Sequence, residues 1–285
     1  MKSSSDSRLT GLLGRDLQGS LSPALHNECY RSLGISGLYQ PVDFTRRNIA
    51  DEDLPDILAS LIRLGFSGVN VTHPFKTAVL PLLDEVSEDA MRLGAVNTVV
   101  IRDGKTTGYN TDWLGFSAQL TALDNANVTV QGPALVMGAG GAGRAVIHAL
   151  LKKPVSPVLL YDPDTEQAQA TIAHFGSPDI QLVEDIEAAA AESHLLVNAS
   201  TVGMHGKGGL PLAEHLIRPD HMVAEVVYFP VETNLVQLAR TRGCNIATGD
   251  IMCLDQALAS FILMTDLIPD SGKMKDFFTG LLVKS

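Results

Sequence analysis

The stretch that decides the fold reads Ala134-Leu135-Val136-Met137-Gly138-Ala139-Gly140-Gly141-Ala142-Gly143-Arg144-Ala145-Val146-Ile147-His148-Ala149-Leu150-Leu151. It joins an apolar run, a glycine-rich turn and a helix-like run, and about twenty residues later a second apolar run ends at Asp162. Glycines at such a turn let the backbone approach a pyrophosphate, and the N–H groups at the start of the helix attract its negative charge. The order predicts a dinucleotide-binding unit and therefore a nicotinamide enzyme. The alternative is a tight strand-to-helix turn without a ligand.

Asp162 bears on the choice of nicotinamide cofactor. A carboxylate at this position accepts hydrogen bonds from ribose hydroxyls but repels a 2′-phosphate, for which enzymes usually supply Arg or Lys. Residues 163–167 contain no base. We therefore predict NAD in preference to NADP, with a polar turn at Asp162-Pro163-Asp164 as the alternative interpretation.

Composition narrows the class of protein. The chain has 285 residues, 45% of them hydrophobic and 19% charged, which is typical of globular domains and long enough for two. A net charge of −11 disfavours nucleic acid or an anionic membrane as partner, since both require clustered Lys and Arg. Local cations can still bind an anionic substrate, because distant charges are screened over about 10 Å.

The three cysteines, Cys29, Cys244 and Cys253, show no zinc-site spacing, so we expect free thiols in a reducing compartment and no metal. Residues 1–8 do not have the pattern of a secretory signal. No apolar run approaches the ~18 residues that a membrane span requires. We therefore expect a cytoplasmic location without a membrane partner.

Alternating strand and helix signals predict an α/β fold, with parallel sheets covered by helices on both faces. In the first third, Ser22 is the predicted cap of a helix that has Pro23 at its first position and ends at Gly34. A hairpin is predicted around Asp103-Gly104. We expect a substrate-binding and catalytic domain at 1–112, completed by residues 250–285 with a C-terminal helix that returns to it, and a doubly wound Rossmann-type NAD-binding domain at 113–249.

Lys76 is the first candidate for moving a proton as hydride is transferred, because it lies just beyond the predicted strand that ends at Thr72. A lysine in this role needs a pKa lowered by partial burial and tuned by a carboxylate, for which we select Asp112. The alternatives are a solvated Lys76, His73 as the proton shuttle, and Asp112 as the cap of a helix starting at Trp113.

Seven motifs occur along the chain in the order seen in shikimate dehydrogenases, and together they span nearly all of it. They are Ser20-Leu21-Ser22-Pro23, Asn70-Val71-Thr72-His73-Pro74-Phe75-Lys76, Gly94-Ala95-Val96-Asn97-Thr98, Asn110-Thr111-Asp112, Gly138 to Gly143, Asn198-Ala199-Ser200-Thr201-Val202-Gly203-Met204, and Gly249 with Gln256. The chain therefore resembles that family.

The resemblance implies a role for each matched residue. Lys76 and Asp112 would form the catalytic pair beside the reacting hydroxyl, in a cleft between the domains. Ser20 and Ser22 would bind the substrate carboxylate, Thr72, Asn97 and Gln256 would hold ring hydroxyls, and Tyr228 would lie on the substrate side. The implied cofactor-binding residues are Gly138, Ala139, Gly140, Gly141, Ala142, Gly143, Asp162, Asn198, Ser200, Thr201, Gly249 and Met252.

One departure from the family pattern concerns the second nucleotide strand. NADP-linked members typically have an Asn-Arg-Thr-like segment there, whereas this chain has Asp162-Pro163-Asp164. It thus resembles the NAD-linked quinate/shikimate branch, whose small-molecule substrates are shikimate, quinate and their 3-dehydro forms. The alternatives are a dehydrogenase for another carbocyclic acid, such as an aminoshikimate, and a non-catalytic ligand sensor. The sequence leaves open whether the protein is a monomer or a homodimer.

Overall fold

The computed structural model describes residues 8–124 and 129–283. The first seven residues, which carry most of the segment predicted not to be a secretory signal, lie outside this part. The chain divides into two compact units, residues 1–111 with 257–285 and residues 112–256. The divisions fall at 112 and 257, compared with the predicted boundaries of 113 and 250.

The first unit is built on a six-stranded sheet of order β2-β1-β3-β5-β6-β4. Its strands are β1 (Arg8–Gly14), β2 (Gly37–Asp43), β3 (Gly68–Val71), β4 (Glu85–Val86), β5 (Thr98–Arg102) and β6 (Lys105–Tyr109). Its helices in this part of the chain are α1 (Ser22–Leu33), α2 (Phe44–Arg47), α3 (Leu54–Arg63), α4 (Phe75–Ala78) and α5 (Glu88–Leu93).

The first sheet is mixed, so the prediction of a parallel sheet is wrong for this unit. Strands β2, β1 and β3 are parallel, but β5 pairs antiparallel with both β3 and β6. The reason is the predicted hairpin, which the structure confirms: Asp103 and Gly104 both have positive φ, 51° and 79°. Two such residues form the tight turn that reverses a strand onto its neighbour.

Helix α1 differs from its prediction at the N-terminus. Leu21 occupies the capping position without a side-chain hydrogen bond, and Ser22 is the first helical residue, so the prediction of Ser22 as cap is wrong. The Ser22 N–H instead donates to Ser20 Oγ at 3.3 Å. The predicted end is confirmed, since Gly34 closes the helix with a φ of 65°.

The second unit has a fully parallel six-stranded sheet of order β12-β11-β10-β7-β8-β9. Its strands are β7 (Ala134–Met137), β8 (Val158–Tyr161), β9 (Ile180–Leu182), β10 (Leu195–Asn198), β11 (Met222–Glu225) and β12 (Asn245–Ala247). Its helices are α6 (Asp112–Leu123), α7 (Gly141–Leu150), α8 (Thr165–Phe175), α9 (Ile186–Glu192) and α10 (Asn234–Thr241). The strand order is that of the doubly wound dinucleotide-binding fold, confirming the predicted class.

The order of this sheet reverses between β7 and β10, which are neighbours although two strands separate them in sequence. In open α/β sheets, ligands bind beyond the carboxyl ends of the strands at such a switch point. The loops that follow Met137 and Asn198 therefore mark the expected cofactor site.

Helix α11 (Gly249–Thr265) contains the division at residue 257, and α12 (Ser271–Leu282) belongs entirely to the first unit. Cys29 of α1 is buried and its Sγ lies 3.4 Å from Met274 Sδ of α12. This contact ties the last helix to the first unit. In the described portion of the chain, no helix is long and apolar enough to cross a membrane.

Candidate functional site

The glycine-rich loop between β7 and α7 contains two kinds of glycine. Gly138 has a φ of 115°, and a Cβ there would lie 2.7 Å from the carbonyl carbon of Ala199. The fold of the loop therefore requires glycine at this position. A Cβ on Gly143 would overlap the carbonyl oxygen of Gly138. In contrast, a Cβ on Gly140 would meet only Gln167 Nε2, at 3.7 Å, and one on Gly141 would meet no atom within 4 Å. Packing of this chain therefore explains Gly138 and Gly143 but leaves open space at Gly140 and Gly141.

The start of α7 is built for an anion. Gly140 is the capping residue and no side chain caps the helix, whose first intrahelical bond runs from Arg144 N–H to the Gly140 carbonyl at 2.9 Å. The first N–H groups of a helix have no intrahelical acceptor and carry partial positive charge. The open glycines and these N–H groups together fit a pyrophosphate.

Asp162 follows β8 and is held against the glycine loop. Its Oδ2 accepts the Ala139 N–H at 2.7 Å, and its Oδ1 accepts the Asp164 N–H at 2.9 Å. The second bond is the polar turn that was the alternative interpretation of this segment. Each carboxylate oxygen retains a further lone pair, so the turn does not prevent Asp162 from accepting ribose hydroxyls.

Asn198 ends β10 and its side chain is fully buried. Its Nδ2 lies 2.9 and 3.1 Å from the two carboxylate oxygens of Glu225, and its Oδ1 accepts from the Ser200 hydroxyl at 2.7 Å. The amide is thus directed into the unit, where its oxygen positions the Ser200 hydroxyl. Thr201, next along the loop, is exposed.

Gly249 and Met252 lie at the start of α11. A Cβ on Gly249 would overlap the Val227 carbonyl, so glycine is needed there for close packing against the loop after β11. Met252 is 7% exposed, and its backbone oxygen lies where a Cβ on Gly115 would clash. These two predicted cofactor residues therefore have structural roles in packing α11.

In the first unit, the loops after β1 and β3 approach closely. A Cβ on Gly14 would overlap Thr72 Cγ2, and the Arg15 N–H donates to the His73 carbonyl at 3.0 Å. Glycine at position 14 thereby brings the start of the segment that leads to Ser20 next to Thr72.

Asp43 fixes the other side of the same loop. Burial disfavours the ionised form of this carboxyl, but N–H donors from Leu17, Arg46, Thr45 and Asp16 outweigh that effect and lower its pKa. Ser20 lines an adjacent groove of about 700 Å³ together with Gln18, Gln40, Arg46 and Arg47. Asp43 lines the same groove, so both positively and negatively charged residues surround it.

Lys76 lies in the four-residue helix α4 and is half-buried, whereas His73 is exposed. The Lys76 carbonyl accepts the Val96 N–H at 2.8 Å, which connects α4 to the segment before β5. This bond places Lys76 beside the segment that leads to Asn97.

Asn97 belongs to a buried polar network and is 4% exposed. Its Oδ1 accepts the Thr111 N–H at 2.8 Å and the Thr98 hydroxyl at 2.9 Å, and its Nδ2 donates to Thr111 Oγ1 at 3.0 Å. Asn70 joins the network by donating to Thr98 Oγ1 at 3.1 Å and accepting from the Tyr39 hydroxyl at 2.8 Å. The network orders Thr111, the residue before Asp112.

The second unit groups Asp112, Tyr228 and Gln256 around Cys253. Burial, then the charges of Asp112 and Asp250, raise the pKa of the Cys253 thiol to about 12. Burial is the main cause, and the charge of Cys253 the second, that raises the pKa of Tyr228 to about 12. Gln256 Nε2 donates to the Cys253 carbonyl at 2.9 Å. Three predicted site residues thus share one neighbourhood, whereas Lys76 belongs to the first unit and Asp112 is the first residue of α6 in the second.

Sequence reasoning missed Glu225 and Cys253. A single acid at a strand end and a lone cysteine carry no local pattern, and only the contacts made through space show their positions. Within residues 8–124 and 129–283, no group of three or more His, Cys, Asp or Glu side chains could hold a metal ion.

Comparison with known proteins identifies the family. Residues 12–99 match the family model of the shikimate dehydrogenase substrate binding domain. A shikimate dehydrogenase (NADP(+)) of Pseudarthrobacter chlorophenolicus is 39% identical, covering 99% of this chain and 98% of the relative. A quinate/shikimate dehydrogenase (NAD(+)) of Corynebacterium glutamicum is 40% identical over 97% of this chain and 99% of the relative.

A solved structure agrees with these relatives. The quinate dehydrogenase from Corynebacterium glutamicum in complex with NAD superposes with a TM-score of 0.89 at 39% identity, covering 96% of this chain and all of that one. Similarity of this extent, together with the matched motifs and the fold, shows that the chain belongs to the shikimate dehydrogenase family.

Proposed function

We propose that this chain is an NAD(P)-dependent oxidoreductase that interconverts shikimate and 3-dehydroshikimate, acts also on quinate and 3-dehydroquinate, and prefers NAD. The observation that carries the proposal is the open space at Gly140 and Gly141 before an uncapped helix. No contact among residues 8–124 and 129–283 requires glycine at these two positions, whereas a pyrophosphate does. The names of the two full-length relatives supply the substrate class.

Residues of the second unit would hold the cofactor. The N–H groups at the start of α7 would bind the pyrophosphate, and Asp162 would accept the adenosine ribose hydroxyls. Ser200 and Thr201, in the loop after β10, would contact the nicotinamide half. When bound, the nicotinamide accepts or donates the hydride.

Lys76 moves the proton. In alcohol oxidation its amine takes the hydroxyl proton as the hydride leaves the same carbon, and in reduction its ammonium returns that proton to the carbonyl oxygen. Asp112 has the proposed role of the carboxylate that stabilises the charged form of the ammonium. Ser20 and Ser22 bind the carboxylate, and Thr72, Asn97, Gln256 and Tyr228 orient the ring and its hydroxyls.

The preference for NAD rests on the acidic segment after β8. A 2′-phosphate bound beside Asp162 would also meet Asp164, and residues 163–167 provide no cation to neutralise it. The full-length relatives include both an NADP and an NAD enzyme, so this segment is what favours NAD here.

The test is a kinetic comparison of shikimate and quinate with NAD and NADP, at equal concentrations, by absorbance of the reduced cofactor. We expect turnover of both substrates and a kcat/KM at least about tenfold higher with NAD, the effect of about 1.4 kcal/mol of unfavourable charge. Equal or higher kcat/KM with NADP would refute the cofactor preference. Turnover of an aminoshikimate, but not of shikimate or quinate, would show that the proposed substrate is wrong. Saturable NADH binding without turnover of any of these compounds would indicate a non-catalytic sensor.

A further inference from the structure

One buried carboxylate, that of Glu225, contacts residues at the C-terminal ends of the central strands in the second unit. Glu225, the last residue of β11, is fully buried, and both its carboxylate oxygens accept hydrogen bonds from Asn198 Nδ2. The Val227 N–H and the Thr233 hydroxyl each donate to it at 2.9 Å. The carboxylate therefore links the loop after β10, the loop after β11 and the start of α10.

The backbone of Glu225 extends the same arrangement. Its carbonyl accepts Gln119 Nε2 of α6 at 2.7 Å, and that amide nitrogen also donates to the Thr248 carbonyl after β12 at 2.9 Å. Hydrogen bonds of Glu225 and of its neighbour Gln119 thus connect the loops that follow β10, β11 and β12.

Hydrogen bonds, and not a counter-ion, offset the cost of burying Glu225. In the described part of the chain, no cation pairs with Glu225, and burial raises its pKa to about 7 against the N–H and O–H donors that lower it. An apolar side chain at this position would leave the donors of Asn198, Val227 and Thr233 buried and unpaired. Because these donors come from separate loops, the acid fixes the loops relative to one another.

We propose that Glu225 is a positioning residue for hydride transfer, holding the Ser200–Thr201 loop through Asn198 and the Tyr228 segment through Val227. The proposal rests on the proposed function. In the doubly wound fold, the half of the sheet formed by β10, β11 and β12 serves the nicotinamide, and the half formed by β7, β8 and β9 serves the adenosine. Glu225 therefore acts on the reacting end of the cofactor and leaves the adenosine end unchanged.

The two halves provide a direct test in the full-length protein. Glu225→Gln keeps the size but places an amide donor against the donors of Asn198 and Thr233, and Glu225→Leu removes all polar contacts. We expect kcat to fall about thirtyfold or more in both variants, while the Kd for ADP-ribose, which lacks nicotinamide, changes less than about twofold. The fluorescence spectrum of bound NADH should shift towards that of free NADH.

A primary isotope effect separates positioning from simple destabilisation. With 4-deuterated NADH, the effect on kcat should rise in Glu225→Gln, because hydride transfer becomes slower than the other steps. A merely structural residue would lower the melting temperature without changing this ratio. Wild-type kcat in a folded Glu225→Leu enzyme would overturn the proposal.

Thr233 supplies a second route if the Glu225 variants fail to fold. Thr233→Ser keeps the hydroxyl that donates to Glu225 and should retain activity, whereas the isosteric Thr233→Val should show the same spectral shift and isotope effect. Glu232→Gln is the matched control and should behave as wild type. Glu232 precedes Thr233 on the same loop, and its exposed carboxylate pairs with Arg240 of α10. Equal behaviour of Thr233→Ser and Thr233→Val would count against the proposal.

Failure of the proposed function is distinguishable from failure of this inference. If wild type turns over neither shikimate nor quinate, the proposed reaction is wrong, but the NADH spectrum and the ADP-ribose Kd still test Glu225. If wild type is active and the spectrum of bound NADH is unchanged in Glu225→Gln, only the positioning role is wrong.

Discussion

The candidate sites of the two units consist of different chemical groups. The first unit presents side chains, such as Lys76 in α4 and the Asn97 network, whereas the second presents backbone N–H groups on a glycine loop. A site made of side chains is damaged by truncating one of them, and a site made of backbone is damaged by adding atoms. The same substitution to alanine therefore has opposite meanings in the two units.

The units also differ in the ionisable group each buries. In the first, His26 of α1 is 1% exposed and stacks on Tyr39, and burial lowers its pKa to about 3. Neither of its ring nitrogens has a hydrogen-bond partner among the residues that the structure describes. In the second, burial raises the pKa of Glu225 to about 7. Burial favours the neutral form of both side chains. Lowering the pH should therefore destabilise the first unit through His26 and stabilise the second unit through Glu225.

The largest expected effect comes from truncation in the first unit. Lys76→Ala should lower kcat about a thousandfold, because general acid–base catalysis is lost, while the Kd for NADH remains within a few-fold of wild type. Lys105→Ala, an exposed lysine on β6 of the same unit, is the matched control. Steady-state kinetics and NADH fluorescence titration provide both numbers. A Lys76→Ala enzyme with most of the wild-type kcat would remove this residue from the mechanism.

Two glycines of one loop sharpen the comparison in the second unit. Gly140→Ala adds a methyl group into open space, so we expect an unchanged melting temperature and an NADH Kd raised about tenfold or more. Gly138→Ala should instead destabilise the fold by about 1–3 kcal/mol, since its φ of 115° and the contact with Ala199 exclude a Cβ. Calorimetry and titration of both variants would contradict this view of the loop if Gly140→Ala unfolded as easily as Gly138→Ala.

The smallest expected effect is the response to pH between about 7 and 5. His26 takes up a proton on unfolding, so its contribution to stability, present above pH 6.5, falls by about 2 kcal/mol at pH 5. Glu225 releases a proton on unfolding over the range between its unfolded pKa near 4.5 and its folded pKa near 7, so its contribution rises by about 2 kcal/mol as pH falls to 5. His221 of the second unit, whose pKa is lowered first by burial, acts in the same direction as His26.

Urea unfolding measures this response, because Trp113, the only tryptophan, reports on the second unit and circular dichroism reports on both. His26→Leu should raise the free energy of unfolding at pH 5 relative to wild type, and Glu225→Gln should lower it. The same shift at pH 5 and pH 8 in His26→Leu would show that the histidine is not held neutral.

Much of the fold follows from local patterns. The glycine loop, the hairpin at Asp103-Gly104 and the end of α1 at Gly34 were predicted because glycine and its short polar neighbours fix positive φ over two or three residues. The start of α1 at Ser22 and the antiparallel β5 were not, since capping and strand direction depend on contacts with other elements.

The candidate site divides in the same way. Predictions for the glycine loop depend on backbone geometry that sequence encodes directly. Sequence could not show that the Asn198 amide contacts Glu225, or that Gly249 and Met252 take part in packing. The paired roles of Lys76 and Asp112 stay predictions, since the two residues belong to different units.

The surroundings of the three cysteines have a practical consequence. Cys29 is buried and Cys244 and Cys253 are partly buried, and burial is the first cause that raises the pKa of all three thiols, to about 12 at Cys29 and Cys253. Thiolate is the form that reacts with peroxide and alkylating reagents, and these side chains hold very little of it at neutral pH. Alkylation of all three thiols by iodoacetamide at neutral pH should therefore be slow in the folded protein and fast after unfolding.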